Sequence, residues 1–206
     1  MAKIWMTPGM HAPAEKVLTE TQSITVSAEP GHSSTAYTTK KPNNWSVKVV
    51  EGQPNPQYNP GEAALIDGVR GDVDWRKGEW FGVQGQDLTV LVMPPVAKRF
   101  KHLDIDLSLL HDQRSWITYP KRIEMYLVQE NGEEWLAAWS DYETIEDIPA
   151  EIMHWHTTYL EKAPLWRRPK IAGIRFMFRN AGLLPDWHLG AGGETFIFLD
   201  EITIQE

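Results

Sequence analysis

The chain has no cysteine in 206 residues, which excludes disulfides, a thiolate nucleophile and any Cys-ligated zinc centre. It has no run of about 18 apolar residues, so no segment reads as a membrane-spanning helix. Its opening, MAKIWMTPGM, lacks the hydrophobic core of a signal peptide. The expectation is therefore a piece of a longer protein, placed in the periplasm, at the cell surface or outside the cell if that protein is exported. Positive charge is scarce: 20 Lys and Arg against 28 Asp and Glu leave −8, which argues against nucleic acid as a partner. No internal repeat or low-complexity tract points to a solenoid.

What the chain does have is aromatic surface, with ten Trp, six Tyr and six Phe. That supply suits β-structure and sugar-binding surfaces alike. Alternation of apolar and polar residues marks strands at 23–28, 45–50, 88–93, 102–110 and in RIEMYLVQ, where Glu130-Asn131-Gly132-Glu133 turns the chain into EEWLAAW. Residues 151–160, 170–180 and 195–205 complete the set. Residues 1–18, 32–44, the proline-rich 52–62 and the acidic 142–151 read as lead-in or loop. Strands so spaced, with no strong helical period, predict an all-β antiparallel sandwich.

The densest stretch is AALIDGVRGDVDWRKGEW, residues 63–80. Gly68, Gly71 and Gly78 are expected at positive φ, and between them stand Asp72, Asp74, Trp75 and Trp80. Carboxylates spaced through such a turn can converge on a hard cation, or they can cap their own backbone N–H groups. Both readings stay open on the residues alone.

Three blocks in order carry a resemblance: ALIDGVRG with WRKGEWFG, then DQRSWITYPKRIEMYLVQENGEEW, then FRNAGLLPDWHLGAGGETFIFLDEI. Together they resemble the coagulation-factor 5/8 type C, or discoidin-like, domains, and most closely the version that follows the barrel in bacterial β-N-acetylhexosaminidases of glycoside hydrolase family 20. The resemblance implies a jelly-roll, galactose-binding-like β-sandwich over residues 61–206, with 1–60 as an N-terminal extension. It also implies a structural calcium held by Asp67, Asp72 and Glu201. The catalytic barrel that precedes this domain in the family is not in the chain, so no enzymatic activity is expected.

For ligand contact, Asp112, Arg114 and Trp116 offer a planar ring and polar side chains within five residues, and Trp187 and His188 stand in the glycine-rich 182–194. Trp75 adds an aromatic flank. For each there is a plain alternative: Trp116 as core, Arg114 paired with Asp112, and the 182–194 segment as packing. His154 and His156 share a strand face without a nameable third ligand, and Arg167-Arg168 reads as a solvated loop. The expected function is a non-catalytic carbohydrate-binding module for galactose- or N-acetylhexosamine-type glycans, accessory to a glycan-degrading enzyme. The alternative is an accessory domain packed on a glycoside hydrolase barrel with no sugar affinity.

Overall fold

A computed structural model of the chain describes residues 44–142 and 148–206. The expected strand at 23–28 and the lead-in and loop at 1–18 and 32–43 lie outside these residues, as do residues 143–147 of the acidic 142–151. Nine strands follow in order: β1 Ser46–Glu51, β2 Phe81–Gln84, β3 Leu88–Met93, β4 His102–His111, β5 Arg122–Gln129, β6 Glu134–Asp141, β7 Glu151–Leu160, β8 Ile171–Arg179 and β9 Phe196–Gln205. They form two antiparallel sheets, β1-β3-β8-β5-β6 and β2-β9-β4-β7. The sheets pack as the expected sandwich around a single large core. Among the described residues no helix is long and apolar enough to cross a membrane.

The alternation in β4 shows why. Leu103, Ile105, Leu107 and Leu109 point into the core, while Asp104 and Asp106 stay part-exposed on the outer face. The β5–β6 hairpin turns where expected, with Gly132 at φ 86 and the Asn131 carboxamide oxygen accepting from the Glu133 N–H at 3.1 Å. β9 departs from simple alternation, since all but its last residue is buried. Against β4, Leu107 pairs with Ile202 and Leu109 with Leu199, so β9 spends an extra residue there. This bulge places Asp200 and Glu201 side by side under the segment that follows Ile66.

The 45–60 part of the expected extension is built into the sandwich: β1 pairs with β3 along its length, and Trp45 stacks on Phe100 at 5.8 Å inside the core. The proline-rich 52–62 is a strap within the sandwich, bridging through Pro54 to Val83 and seating Tyr58 against Phe198. β2 was also not anticipated; its four residues FGVQ carry no alternation, and Gly82 sits where a Cβ would meet the Phe198 ring at 2.5 Å.

A loop-built candidate ligand site at one end

The strand registers decide which loops meet. His111 pairs with Glu151 at one end of the β4–β7 ladder and His102 with Leu160 at the other. The loop after β4 therefore lies at the His111 end. There it joins the β8–β9 loop through Trp116 and Phe196, whose backbones bond at 2.8 Å. The 52–60 strap and the turn at Trp75–Lys77 reach the same end, and a second apolar cluster of Trp80, Leu110, Ile117, Phe196 and Phe198 supports them from below.

Each loop is fixed by its own chemistry. Asp112 accepts from the Ser115 hydroxyl at 2.6 Å and from the Trp75 indole N–H at 3.3 Å. Trp75 lies edge-on to Tyr58 at 5.5 Å, and the Arg76 guanidinium covers its ring at 4.4 Å. The β8–β9 loop closes at its neck through Asn180, which donates to the Thr195 carbonyl at 3.0 Å and accepts from the Gly182 N–H at 2.7 Å. His188 is buried: Nε2 donates to the Gln113 carbonyl and Nδ1 accepts from the Gly190 N–H, both at 2.8 Å, which fixes the proton on Nε2. Glycines let this loop lie across Trp116, because a Cβ on Gly190 would stand 2.6 Å from its Nε1. Trp116 itself takes φ 67, a costly backbone for a bulky residue, held by its N–H bond to Gln113.

All six residues expected to contact ligand, Trp75, Asp112, Arg114, Trp116, Trp187 and His188, thus stand on loops of one end, in two states. Asp112 and His188 spend their hydrogen bonds on the scaffold. Arg114 is exposed, and Trp116 and Trp187 are 37% and 54% exposed. Beside Trp75 opens a groove of about 540 Å³ between the 56–60 strap and the 75–80 segment, lined by Tyr58, Asn59, Trp75, Arg76, Glu79 and Trp80. Tyr58, Arg76 and Glu79 were not anticipated. The signal for Tyr58 was present, an aromatic between polar residues in a proline-rich strap.

The expected calcium ligands are not gathered. Asp67 accepts from the Val69 N–H at 2.7 Å, capping its own turn. Asp72 faces elsewhere, accepting from the Asp74 N–H at 2.9 Å and the Lys77 ammonium at 2.7 Å, and these two bonds hold it below the ordinary carboxylate range. Glu201 does tie the last strand to the turn, accepting from the Gly68 N–H at 3.0 Å, and Asp200 accepts from the Gly71 N–H beside it. Burial pushes Asp200 up to about 7 and Glu201 up to about 8. Among the described residues no three His, Cys, Asp or Glu side chains are spaced to hold a metal ion. Asp72 thus engages both carboxylate oxygens within its own turn. Gly71 is likewise not at positive φ as Gly68 and Gly78 are; it is required because the Trp80 ring lies 2.7 Å from where its Cβ would be.

On the outer face of the β4–β7 pair, His154 Nδ1 stands 3.2 Å from Asp106 Oδ2, and Asp106 is bonded by Arg70.

A two-sheet antiparallel sandwich with its convergent side chains on end loops is the architecture expected of a discoidin-like, galactose-binding-like domain. No protein-family model and no curated protein matches the sequence. Among solved structures the chain is similar to the family 32 carbohydrate-binding module of Clostridium perfringens NanJ in complex with galactose, at 13% identity and TM-score 0.40, covering 78% of this chain and 93% of that one. It is similar to a second C. perfringens module, in complex with GalNAc-β-1,3-galactose, at 10% identity and TM-score 0.42, covering 79% and 96%. A third is the C-terminal domain of a Bacteroides fragilis chitobiase, at 13% identity and TM-score 0.36, covering 81% and 99%. These likenesses are of fold.

Proposed function

We propose that the chain is a non-catalytic carbohydrate-binding module for galactose- or N-acetylhexosamine-type glycans, accessory to a glycan-degrading enzyme. The observation that carries this reading is the pairing of exposed Trp187 and Trp116 with Arg114 beside the Tyr58–Trp75 groove, all on loops locked by buried hydrogen bonds. A sugar ring presents one apolar face and a rim of hydroxyls. Preorganised aromatic rings with a guanidinium at their edge match both halves. Calorimetric titration with galactose, N-acetylgalactosamine and N-acetylglucosamine tests it. Saturable heat with at least one sugar, lost in Arg114→Ala, is expected, and flat titrations across the three would overturn the reading.

A second reading has its own support, since Asp112 and His188 are already satisfied within the chain while Leu183, Trp187 and Leu189 stand exposed on one loop. Such a loop suits packing on a neighbouring catalytic domain. Structural calcium is a separate proposal, supported by the buried Glu201 Oε1, which has no hydrogen-bond partner and lies beside Asp200. Asp67 and Glu201 are the residues that would hold it, and the ion would supply charge neutralisation at the bulge. A higher melting midpoint in calcium than in chelator is the expected result, and equal midpoints would remove the ion.

A further inference from the structure

The two sheets end in four edge strands, β1 and β6 in one, β2 and β7 in the other. An edge offers unpaired N–H and C=O groups to any further strand, and folds blunt it with charge, a bulge or a covering segment. Three of these edges are blunted. β1 carries Lys48 and Glu51 and breaks its register against β3 between Val49 and Glu51. β6 carries Glu134 and Asp141, and because Met125 and Tyr126 of β5 face Ala138 and Leu136, it holds an extra residue between them. β2 is four residues long and crossed by the 52–60 strap: Gly82 accepts from the Asn55 N–H at 2.8 Å and donates to the Tyr58 carbonyl at 2.9 Å.

β7 has none of these devices. Its ten residues pair with β4 one for one, from Glu151 with His111 to Leu160 with His102, with no shift in register over a length of roughly 33 Å. From Ile152 to Leu160 the sequence IMHWHTTYL has no charged residue, proline or glycine. Among the described residues no backbone group of β7 bonds to anything but β4. Alternate side chains from Met153 to Tyr159 are buried in the core, and the outer row is Ile152, His154, His156, Thr158 and Leu160. Leu160, at the end of that row, is half exposed.

We propose that two copies of this chain join through β7, edge to edge and antiparallel, around a two-fold axis at His156, so that their four-stranded sheets become one. An axis perpendicular to the sheet keeps the two outer rows on the same face, which only pairings of even offset allow. Centred on His156, it sets Ile152 opposite Leu160 of the second copy, His154 opposite Thr158, and His156 opposite itself. Three observations favour a second copy over other occupants. The half-exposed Leu160 gains an apolar partner at each end of the junction. Residues 152–160 are uncharged although the chain carries −8, so the two edges meet without like charges opposed. The second strand is also already formed and straight, whereas an unfolded peptide must first lose its backbone entropy to lie along the same edge. The pairing is isologous and closes at two copies. Because the strands run antiparallel, the two Tyr58–Trp75 grooves point in opposite directions and stay open. The inference does not rest on the sugar reading.

Sedimentation velocity over a concentration series tests it, with hydrogen exchange read on the same samples. A dimer that grows with concentration is expected, together with slower exchange at alternate amides between Ile152 and Leu160, those turned away from β4, and no change along β1. His156→Lys and His156→Glu, each alone, set like charges opposite one another at the axis and should weaken the dimer about fivefold. An equimolar mixture of the two variants should recover the association, since each ammonium then faces a carboxylate. Circular dichroism checks that both variants keep the fold. A monomer at every soluble concentration would overturn the proposal. So would a dimer whose β7 amides exchange as fast as in the monomer, or a mixture that associates no better than either variant alone. Protection of those amides in the monomer would also overturn it, and would assign the edge to residues 1–43 of the same chain.

Discussion

Both ends of this sandwich expose tryptophan, yet they do so on different foundations and in opposite fields. At the groove end, residues 52–62, 72–79, 112–116 and 182–194 carry seven carboxylates against three Lys and Arg; at the other end, in the β3–β4 and β7–β8 connections, residues 94–101 and 160–170 carry seven Lys and Arg against one carboxylate. The groove end rests on its own apolar cluster and on buried side-chain hydrogen bonds that join distant segments. The basic end rests on backbone bonds between two connections. Rigid aromatic rings in a mildly acidic frame suit a neutral, hydroxyl-rich ligand whose orientation matters. The apolar tips Val96, Leu165 and Trp166 stand in a basic frame instead. The two ends thus differ both in charge and in the bonds that hold them.

The strongest way to break the comparison is Trp80→Ala. Trp80 is buried, stacks at 6.4 Å on Phe198 and donates to the Asp72 carbonyl at 2.9 Å. Its loss should cost about 3–5 kcal/mol in chemical denaturation. In the fraction that remains folded, sugar titration should be abolished, while hydrogen-exchange protection of the Lys98–Ile171 backbone bonds at the other end persists. Loss of both together would show that the ends are not independent.

Gly190→Ala is narrower. The added methyl meets Trp116 at 2.6 Å, so either the loop or the ring must move, at about 1–3 kcal/mol. Ala introduced at Gly132, where nothing lies within 4 Å of the new Cβ, would strain φ alone and leave the site untouched. Intrinsic tryptophan fluorescence and sugar titration together separate these cases. A Gly190→Ala protein with unchanged affinity would mean that Trp116 is not part of the ligand surface.

The buried carboxylates of the β9 bulge give the fold a pH dependence. Asp200 and Glu201 release protons near 3.8 and 4.5 when unfolded, but burial raises them to about 7 and about 8 in the fold. Between those limits the folded state retains protons that the unfolded chain has lost, so stability is greatest below the unfolded values and falls as pH rises from about 4 to about 8. In chelator, Asp200→Asn should reduce that fall by about 1–3 kcal/mol and raise the melting midpoint at pH 8 relative to the parent. A parent whose stability is flat or rises over this range would mean that the bulge is solvated or neutralised.

Much of the sandwich was legible because period-two alternation in β4, β5 and β8 is a property of neighbours in sequence. β2 was not, since its burial comes from lying at β9 with Tyr58 packed above Gly82. The same limit governs the site. Residue types that bind sugars could be read from the three loops, but their division into scaffold and surface depends on bonds such as Trp75 to Asp112 and His188 to Gln113, which span 37 and 75 residues. The expected calcium set meets the opposite limit. Asp67 and Asp72 accept from N–H groups two residues on, a local bond that any Asp in a turn can make.

The finest discriminator is Trp187→Ala. The ring is 54% exposed and meets His188 at 5.9 Å, so truncation should leave the melting midpoint nearly unchanged, as at most surface positions. Its stacking on a sugar is expected to be worth about 0.5–1.5 kcal/mol, roughly two- to tenfold in dissociation constant. A weaker titration at constant stability assigns the β8–β9 loop to the glycan. An unchanged titration, with weaker association to a catalytic domain supplied in trans, assigns the loop to domain packing. His188 then locks a docking face, and the sugar surface contracts to Arg114, Trp116 and the Tyr58–Trp75 groove.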